Sequence, residues 1–346
     1  MSKAANAVLA LSRAFYGKRL SEKQYTDLLS CASLNEIASY LRSRTVYGEA
    51  FEGVQVSDFT SKTLEDIINK YKFGKFDALC RYELAIGSEF YKYFIVKTEV
   101  EQILNCTLLM IGGNTEGYLM QMTNFLNRHL GIDLYALGKA NSLEEIAAAL
   151  GNTPYEKIFR RCLSNPERSY LSFEIAFDGY FERFQQQLIE RCFKGDEKKA
   201  MREMISRNFD RTFIQKQFRT VKYYGGNLAV TNLLTLPDVS LTLLTERQIK
   251  QIASAKDEVE LVRVIEATPY RDCVSRGSDG IEKKLFEGFY SYCKKAVRFS
   301  SHPGVVMYAY LFLVQTEIMN LVRIIEGVKY KIPQEDIKNS IVGVGD

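Results

Sequence analysis

Histidine, the side chain that most often moves protons or binds zinc near neutral pH, occurs twice in this chain, at His129 and His302. Neither stands in an H-x-x-x-H or H-E-x-x-H setting, so neither is read as catalytic or metal-binding. The steps Gly17-Lys18, Gly74-Lys75 and Gly138-Lys139 lack the upstream glycine and the following hydroxyl that a phosphate loop needs to cradle phosphate and hold magnesium. The pairs Glu144-Glu145 and Glu335-Asp336 read as helix starts, where the helix dipole stabilises negative charge, rather than as a general acid and base. Seven cysteines, an odd number with no C-x-x-C, fit small buried apolar side chains in a reducing compartment better than disulfides or zinc. No catalytic residue, cofactor or metal is therefore expected, and no nucleotide hydrolysis by the chain alone.

The ionisable residues that do recur are three acids. Glu317 lies in a phrase with Thr316, Ile318, Asn320, Leu321 and Arg323, and Glu99 lies in an earlier copy with Thr98, Val100, Gln102 and Ile103. A weaker copy centres on Asp210, followed by Phe213, Ile214 and Lys216, and its Val221-Lys222-Tyr223 matches Val328-Lys329-Tyr330. Ile318, Leu321, Val322 and Ile325 have the i, i+3, i+4, i+7 spacing of one buried helix face, with Gly327 placed to cap the end. Each acid then falls at the edge of that face, where water is partly excluded. It needs an arginine, hydroxyl or backbone amide in its own domain, worth about 1–3 kcal/mol. Replacing Glu317 by Gln is accordingly expected to lower stability.

A second phrase also occurs three times. Residues 33–44, 142–152 and 257–267 each read as an acid-capped amphipathic helix of about three turns, and each is followed by Thr-x-Tyr: Thr45 and Tyr47, Thr153 and Tyr155, Thr268 and Tyr270. In two copies the middle residue is a proline, which stops the preceding helix by disfavouring the α region at its neighbour. Between the phrases run further helical patterns, at 58–96, 168–193 and 281–299, whose aromatic stripes read as core.

These patterns predict an all-α chain. Gly112-Gly113-Asn114 and Gly225-Gly226-Asn227 end the first two long helices and suggest domains of 1–113, 114–226 and 227–346. That period of about 110 residues is far longer than a solenoid repeat of ~20–50. The 46 basic and 42 acidic residues are spread along the whole length, which points away from nucleic acid and from a lipid-binding patch. The longest apolar run, 305–314, is about half the ~20 residues of a membrane span and reads as a buried core helix. The opening apolar stretch is interrupted by Arg13 too early for a secretory signal, so the cytoplasm is expected. The closing Gly343 and Gly345 have no helix behind them and read as a frayed tail.

Taken together, Glu317, Asn320, Leu321, Arg323, Ile325 and Gly327, the tail with Ile332, Glu335 and Ile337, and the Thr-x-Tyr phrases resemble one family. It is the central-stalk component of rotary V-type and A-type ATPases (ATP synthases), the C subunit of prokaryotic complexes and the equivalent d subunit of eukaryotic ones. The resemblance covers nearly the whole chain and departs at Phe213, where Asn320 would predict an amide. It implies three similar helical-bundle domains, related by pseudo-threefold repetition, in a funnel. It further implies a non-catalytic rotor subunit on the cytoplasmic face, peripheral, touching the membrane only through partners. Those partners would be the membrane proteolipid ring and the central-shaft subunits, coupled for proton or sodium transport linked to ATP hydrolysis or synthesis. The alternatives are a helical scaffold or adaptor of another class and an enzyme with a dispersed site.

Overall fold

The computed structural model describes residues 3–54, 58–85, 89–114, 117–118, 130–165, 169–224, 239–274 and 280–344. His129 and Gly225-Gly226-Asn227 lie outside them. Every regular element among the described residues is helical: α1 (Lys3–Gly17), α2 (Glu22–Leu29), α3 (Leu34–Arg44), α4 (Ser61–Ala85), α5 (Lys92–Ile111), α6 (Leu134–Gly138), α7 (Leu143–Ala149), α8 (Pro154–Leu163), α9 (Tyr170–Cys192), α10 (Gly195–Tyr224), α11 (Glu246–Ser254), α12 (Glu258–Glu266), α13 (Ile281–Phe299), α14 (Pro303–Lys329) and α15 (Gln334–Ser340), with short 3-10 turns such as Val46–Phe51. The pattern expected as one helix over 58–96 is thus divided between α4 and α5, while those expected at 168–193 and 281–299 are α9 and α13.

By its contacts the chain forms two compact units. One comprises Met1–Ser88, Lys199–Met204 and Gly280–Asp346. Its spine is α14, which is opened by Pro303 in the first turn, where the missing N–H costs nothing. By length and composition α14 could cross a membrane, but 72% of its apolar window is buried. It is a core helix, packed against α1, α4 and α13. Its C-terminal half contributes Ile318, Leu321, Ile324 and Ile325 to the cluster that also buries Leu28, Ile37, Leu41 and Leu64. The last long helix therefore completes the core of the first helices of the chain.

Two expectations are corrected here. Gly327 does not cap α14; it lies inside the helix, where an added Cβ would come within 2.5 Å of Ile337 Cδ1. Lys331 takes the left-handed conformation instead (φ 54°), and the N–H groups of Ile332 and Lys331 close the end by donating to the carbonyls of Gly327 and Val328. The glycine thus provides space, not backbone freedom. Nor does the tail fray before residue 344: Ile341 and Val342 are buried, and Gly343 (φ 73°) lies so close to Tyr290 that no side chain fits there.

The second unit comprises Glu89–Lys198 and Ile205–Asp279. In it α9 packs on α5 and α8. Helix α5 ends as its glycines predict: Gly113 is left-handed (φ 75°), and the N–H groups of Gly113 and Asn114 donate to the carbonyls of Met110 and Leu109.

Candidate functional site

The Thr-x-Tyr turn is built on one plan three times, with the threonine reaching back four residues in the first copy and three in the others. Thr45 Oγ1 donates to the Leu41 carbonyl (2.6 Å) and accepts from the Tyr47 N–H (3.1 Å). Thr153 donates to Leu150 (2.6 Å) and accepts from Tyr155 (3.3 Å), and Thr268 donates to Ile265 (2.7 Å) and accepts from Tyr270 (3.1 Å). One hydroxyl thereby satisfies a carbonyl ending one helix and an amide beginning the next turn, which fixes where the tyrosine points. The preceding helix is also capped alike in each copy: Ser33, Ser142 and Asp257 accept from the N–H of Glu36, Glu145 and Glu260. Those glutamates in turn accept from the N–H of Ala32, Asn141 and Lys256.

Each tyrosine ends on one of the three acids. Tyr47 Oη donates to Glu317 Oε1 at 2.7 Å, and the Leu20 N–H donates to Oε2 at 2.9 Å. Tyr155 Oη and the Gly131 N–H donate to the two oxygens of Glu99. Tyr270 Oη (2.7 Å) and the Leu243 N–H (3.0 Å) donate to Asp210 Oδ2, while the Thr242 hydroxyl donates to Oδ1. The acids are 8%, 5% and 0% exposed in the order Glu317, Glu99, Asp210, so these carboxylates face the interior.

The partners are a hydroxyl and an amide, yet they do not lie where the expected boundaries put them. Glu99 and Asp210 pair with the tyrosine of the next phrase along the chain, and Glu317 pairs with that of the first. Periodicity gives the length of a repeat and leaves its phase open, because a cyclic series of like units can be cut at any point.

Burial raises the proton affinity of Glu317, Glu99 and Asp210, and the tyrosine and amide donors oppose it by favouring the charged form. The tyrosines respond in the other direction: burial first, then the adjacent carboxylate, pushes Tyr47, Tyr155 and Tyr270 far above the ordinary phenol. Each assembly is thus a carboxylate clasped by neutral dipoles. It holds a long helix against a turn and a loop, and it presents no nucleophile. Among the described residues no group of three His, Cys, Asp or Glu side chains could hold a metal ion.

Asn320 and Arg323, one and two turns beyond Glu317, hold the tail. Asn320 Nδ2 donates to the Val342 carbonyl (2.7 Å), and its Oδ1 accepts from the Val342 N–H (3.0 Å). Arg323 donates to the Ser340 carbonyl. In the first copy Gln102 stands in place of Asn320 and accepts from Tyr118 Oη at 3.0 Å. In the second copy Phe213 has no such bond to make, and it is buried. Leu20, Gly131 and Leu243 escape a reading of side chains because they act through the backbone. Their one signal is that each stands one or two residues before a helix cap, Ser21, Asp133 or Thr245.

The second unit also carries a concavity of about 420 Å³ between α5, α9 and α10. Its walls include Tyr93, Phe181, Phe209 and Phe213, and at one side Lys216 lies between Glu174 (3.2 Å) and Asp178 (2.5 Å).

From residue 8 to residue 340 the sequence matches the family described as ATP synthase (C/AC39) subunit. The chain belongs to that family. It is similar to proteins named as the C subunit of A-type ATP synthases: that of Thermococcus onnurineus is 21% identical, over 72% of this chain and 69% of its own length. That of Methanocaldococcus jannaschii is 21% identical over 97% and 86%, and that of Pyrococcus abyssi 22% over 95% and 88%. All three clasps lie inside the matched span, so the family match and the repeated geometry concern the same residues.

Proposed function

We propose that this chain is the non-catalytic central-stalk subunit of a rotary A/V-type ATPase, a socket that couples the central shaft to the membrane proteolipid ring. The observation that carries the proposal is the family match running through nearly the whole chain. The threefold clasp supports it physically. A part that transmits torque must resist shear between its helices, and buried hydrogen bonds to carboxylates, each worth about 1.5–3 kcal/mol, oppose sliding of one element past another. The recurrence also supports three like helical domains with pseudo-threefold order in a funnel, for which the glycine pairs suggest 1–113, 114–226 and 227–346. The clasp partners favour shifting the phase so that each acid falls with the tyrosine it binds. In this reading Thr45, Tyr47, Glu99, Thr153, Tyr155, Asp210, Thr268, Tyr270 and Glu317 make the fold, and Asn320 and Arg323 seat the tail. The protein is then peripheral on the cytoplasmic face, and ion specificity belongs to the ring.

The test is capture of the tagged chain from detergent-solubilised membranes. Recovery of ring and shaft subunits together, and loss of ATP-linked ion transport with retained ATP hydrolysis when the chain is depleted, are the expected results. Recovery of soluble partners alone would overturn the proposal.

A further inference from the structure

The three clasps differ in how many donors their carboxylates have. Asp210 accepts from three groups, Tyr270, Leu243 and the Thr242 hydroxyl, whereas the bonds to Glu317 come from Tyr47 and Leu20. An ionised carboxylate offers about four acceptor sites, so Glu317 has capacity for at least one more donor. Beside it, within the first unit, lies a small, partly open recess with room for water of about 20 Å³, whose walls include Tyr16, Arg19, Tyr71, Tyr290, Tyr310 and Glu317 itself.

A void needs roughly 10–15 Å³ to accept one water, and that water needs two to four polar partners, whereas cavities that stay empty are apolar. This recess is large enough for one water, and its walls carry four phenols, a guanidinium and a carboxylate. Tyr16, one of those walls, has a buried hydroxyl with no partner. Tyr71 and Tyr310 are near enough to the carboxylate for its charge to raise their proton affinity further. A metal cation is disfavoured by Arg19, whose charge already acts on Glu317.

We propose that this recess holds one ordered water molecule that donates to the Glu317 carboxylate and links it to the surrounding tyrosine hydroxyls. The water does for Glu317 what the Thr242 hydroxyl does for Asp210. It also ties the end of α1 to α4, α13 and α14, so that the last clasp in the chain is knit to four helices rather than to one turn and one loop.

A crystal structure of the purified protein at a resolution that shows ordered solvent is the direct test. Density within hydrogen-bond distance of both Glu317 and a tyrosine hydroxyl is expected, and an empty recess or the short contacts of a coordinated cation would overturn the proposal. The second arm is Tyr16→Phe, because the Tyr16 hydroxyl has no other partner. If the water bridges that hydroxyl to Glu317, removing the hydroxyl weakens the water's density and lowers the melting temperature by about 1–3 °C. An unchanged or raised melting temperature means that the hydroxyl was not bridged, and the proposal fails.

Discussion

Tyr47 and Glu317 stand 270 positions apart and share a 2.7 Å hydrogen bond, which makes the first Thr-x-Tyr turn and the last long helix one structural element. Tyr155 with Glu99 and Tyr270 with Asp210 repeat that relationship across much shorter spans, 56 and 60 positions. The same chemistry therefore serves twice as a local contact and once to join the two ends of the chain.

Removing one hydroxyl should not cost the same in each clasp. Tyr155→Phe leaves Glu99 with Gly131 alone, whereas Tyr270→Phe leaves Asp210 with Leu243 and Thr242. Tyr155→Phe is expected to destabilise by about 2–3 kcal/mol and Tyr270→Phe by about 1 kcal/mol or less. Denaturant unfolding of the two variants measures the difference, and a larger loss for Tyr270→Phe would contradict the donor count as its cause.

Gly327→Ala tests whether that glycine is a spacer. Its Cβ would meet Ile337 Cδ1 at 2.5 Å, and overpacking of this kind costs about 1–3 kcal/mol. Shortening the neighbour should restore much of the loss, so Gly327→Ala with Ile337→Ala should be closer to wild type than the sum of the two single changes. Simple additivity of the two melting shifts would show that the residues do not meet.

The contrast between Gly327 and Gly113 shows what a sequence can convey. At Gly113 the glycine, the left-handed backbone and the helix end coincide, so the letter and its meaning agree. At Gly327 the same letter relieves a close approach from α15, a contact that arises only once the chain is folded, and Lys331 takes the strained backbone instead. The recurring acids and Thr-x-Tyr phrases were legible because both are side-chain chemistry at fixed intervals. That they bind each other was not, because periodicity contains no phase. The amides of Leu20, Gly131 and Leu243 have no side-chain letter at all.

Asn320 should control the tail. Both ends of its amide are bonded to the backbone of Val342, so Asn320→Ala leaves a buried N–H and a buried carbonyl unpaired. The expected result is a loss of about 2–4 kcal/mol together with faster proteolytic trimming of the segment after Ser340. If trimming is unchanged while stability falls, the tail is held mainly by the burial of Ile341 and Val342.

The acid dependence of stability carries a definite sign for Glu317. Its folded-state proton affinity is raised by burial above that of the unfolded chain, where a glutamate titrates near ~4.3. Between those two values the folded protein binds the proton and the unfolded chain has lost it, so raising the pH through that window reduces stability. The contribution is fully present below the unfolded value and is lost as the pH passes the folded one, at ~1.4 kcal/mol for each unit of displacement. Glu317→Gln cannot titrate; its carbonyl can accept from the Leu20 N–H while its N–H donates to Tyr47 Oη, so it exchanges the bond from Tyr47 for a reversed, neutral one at every pH while escaping the cost of a buried charge. Its deficit relative to wild type should therefore be largest in acid and shrink as the pH rises from about 4 towards 8. Paired denaturation curves across that range provide the measurement. A deficit that instead grows with pH would mean that the Tyr47 and Leu20 donors outweigh burial and hold Glu317 as a stabilised carboxylate.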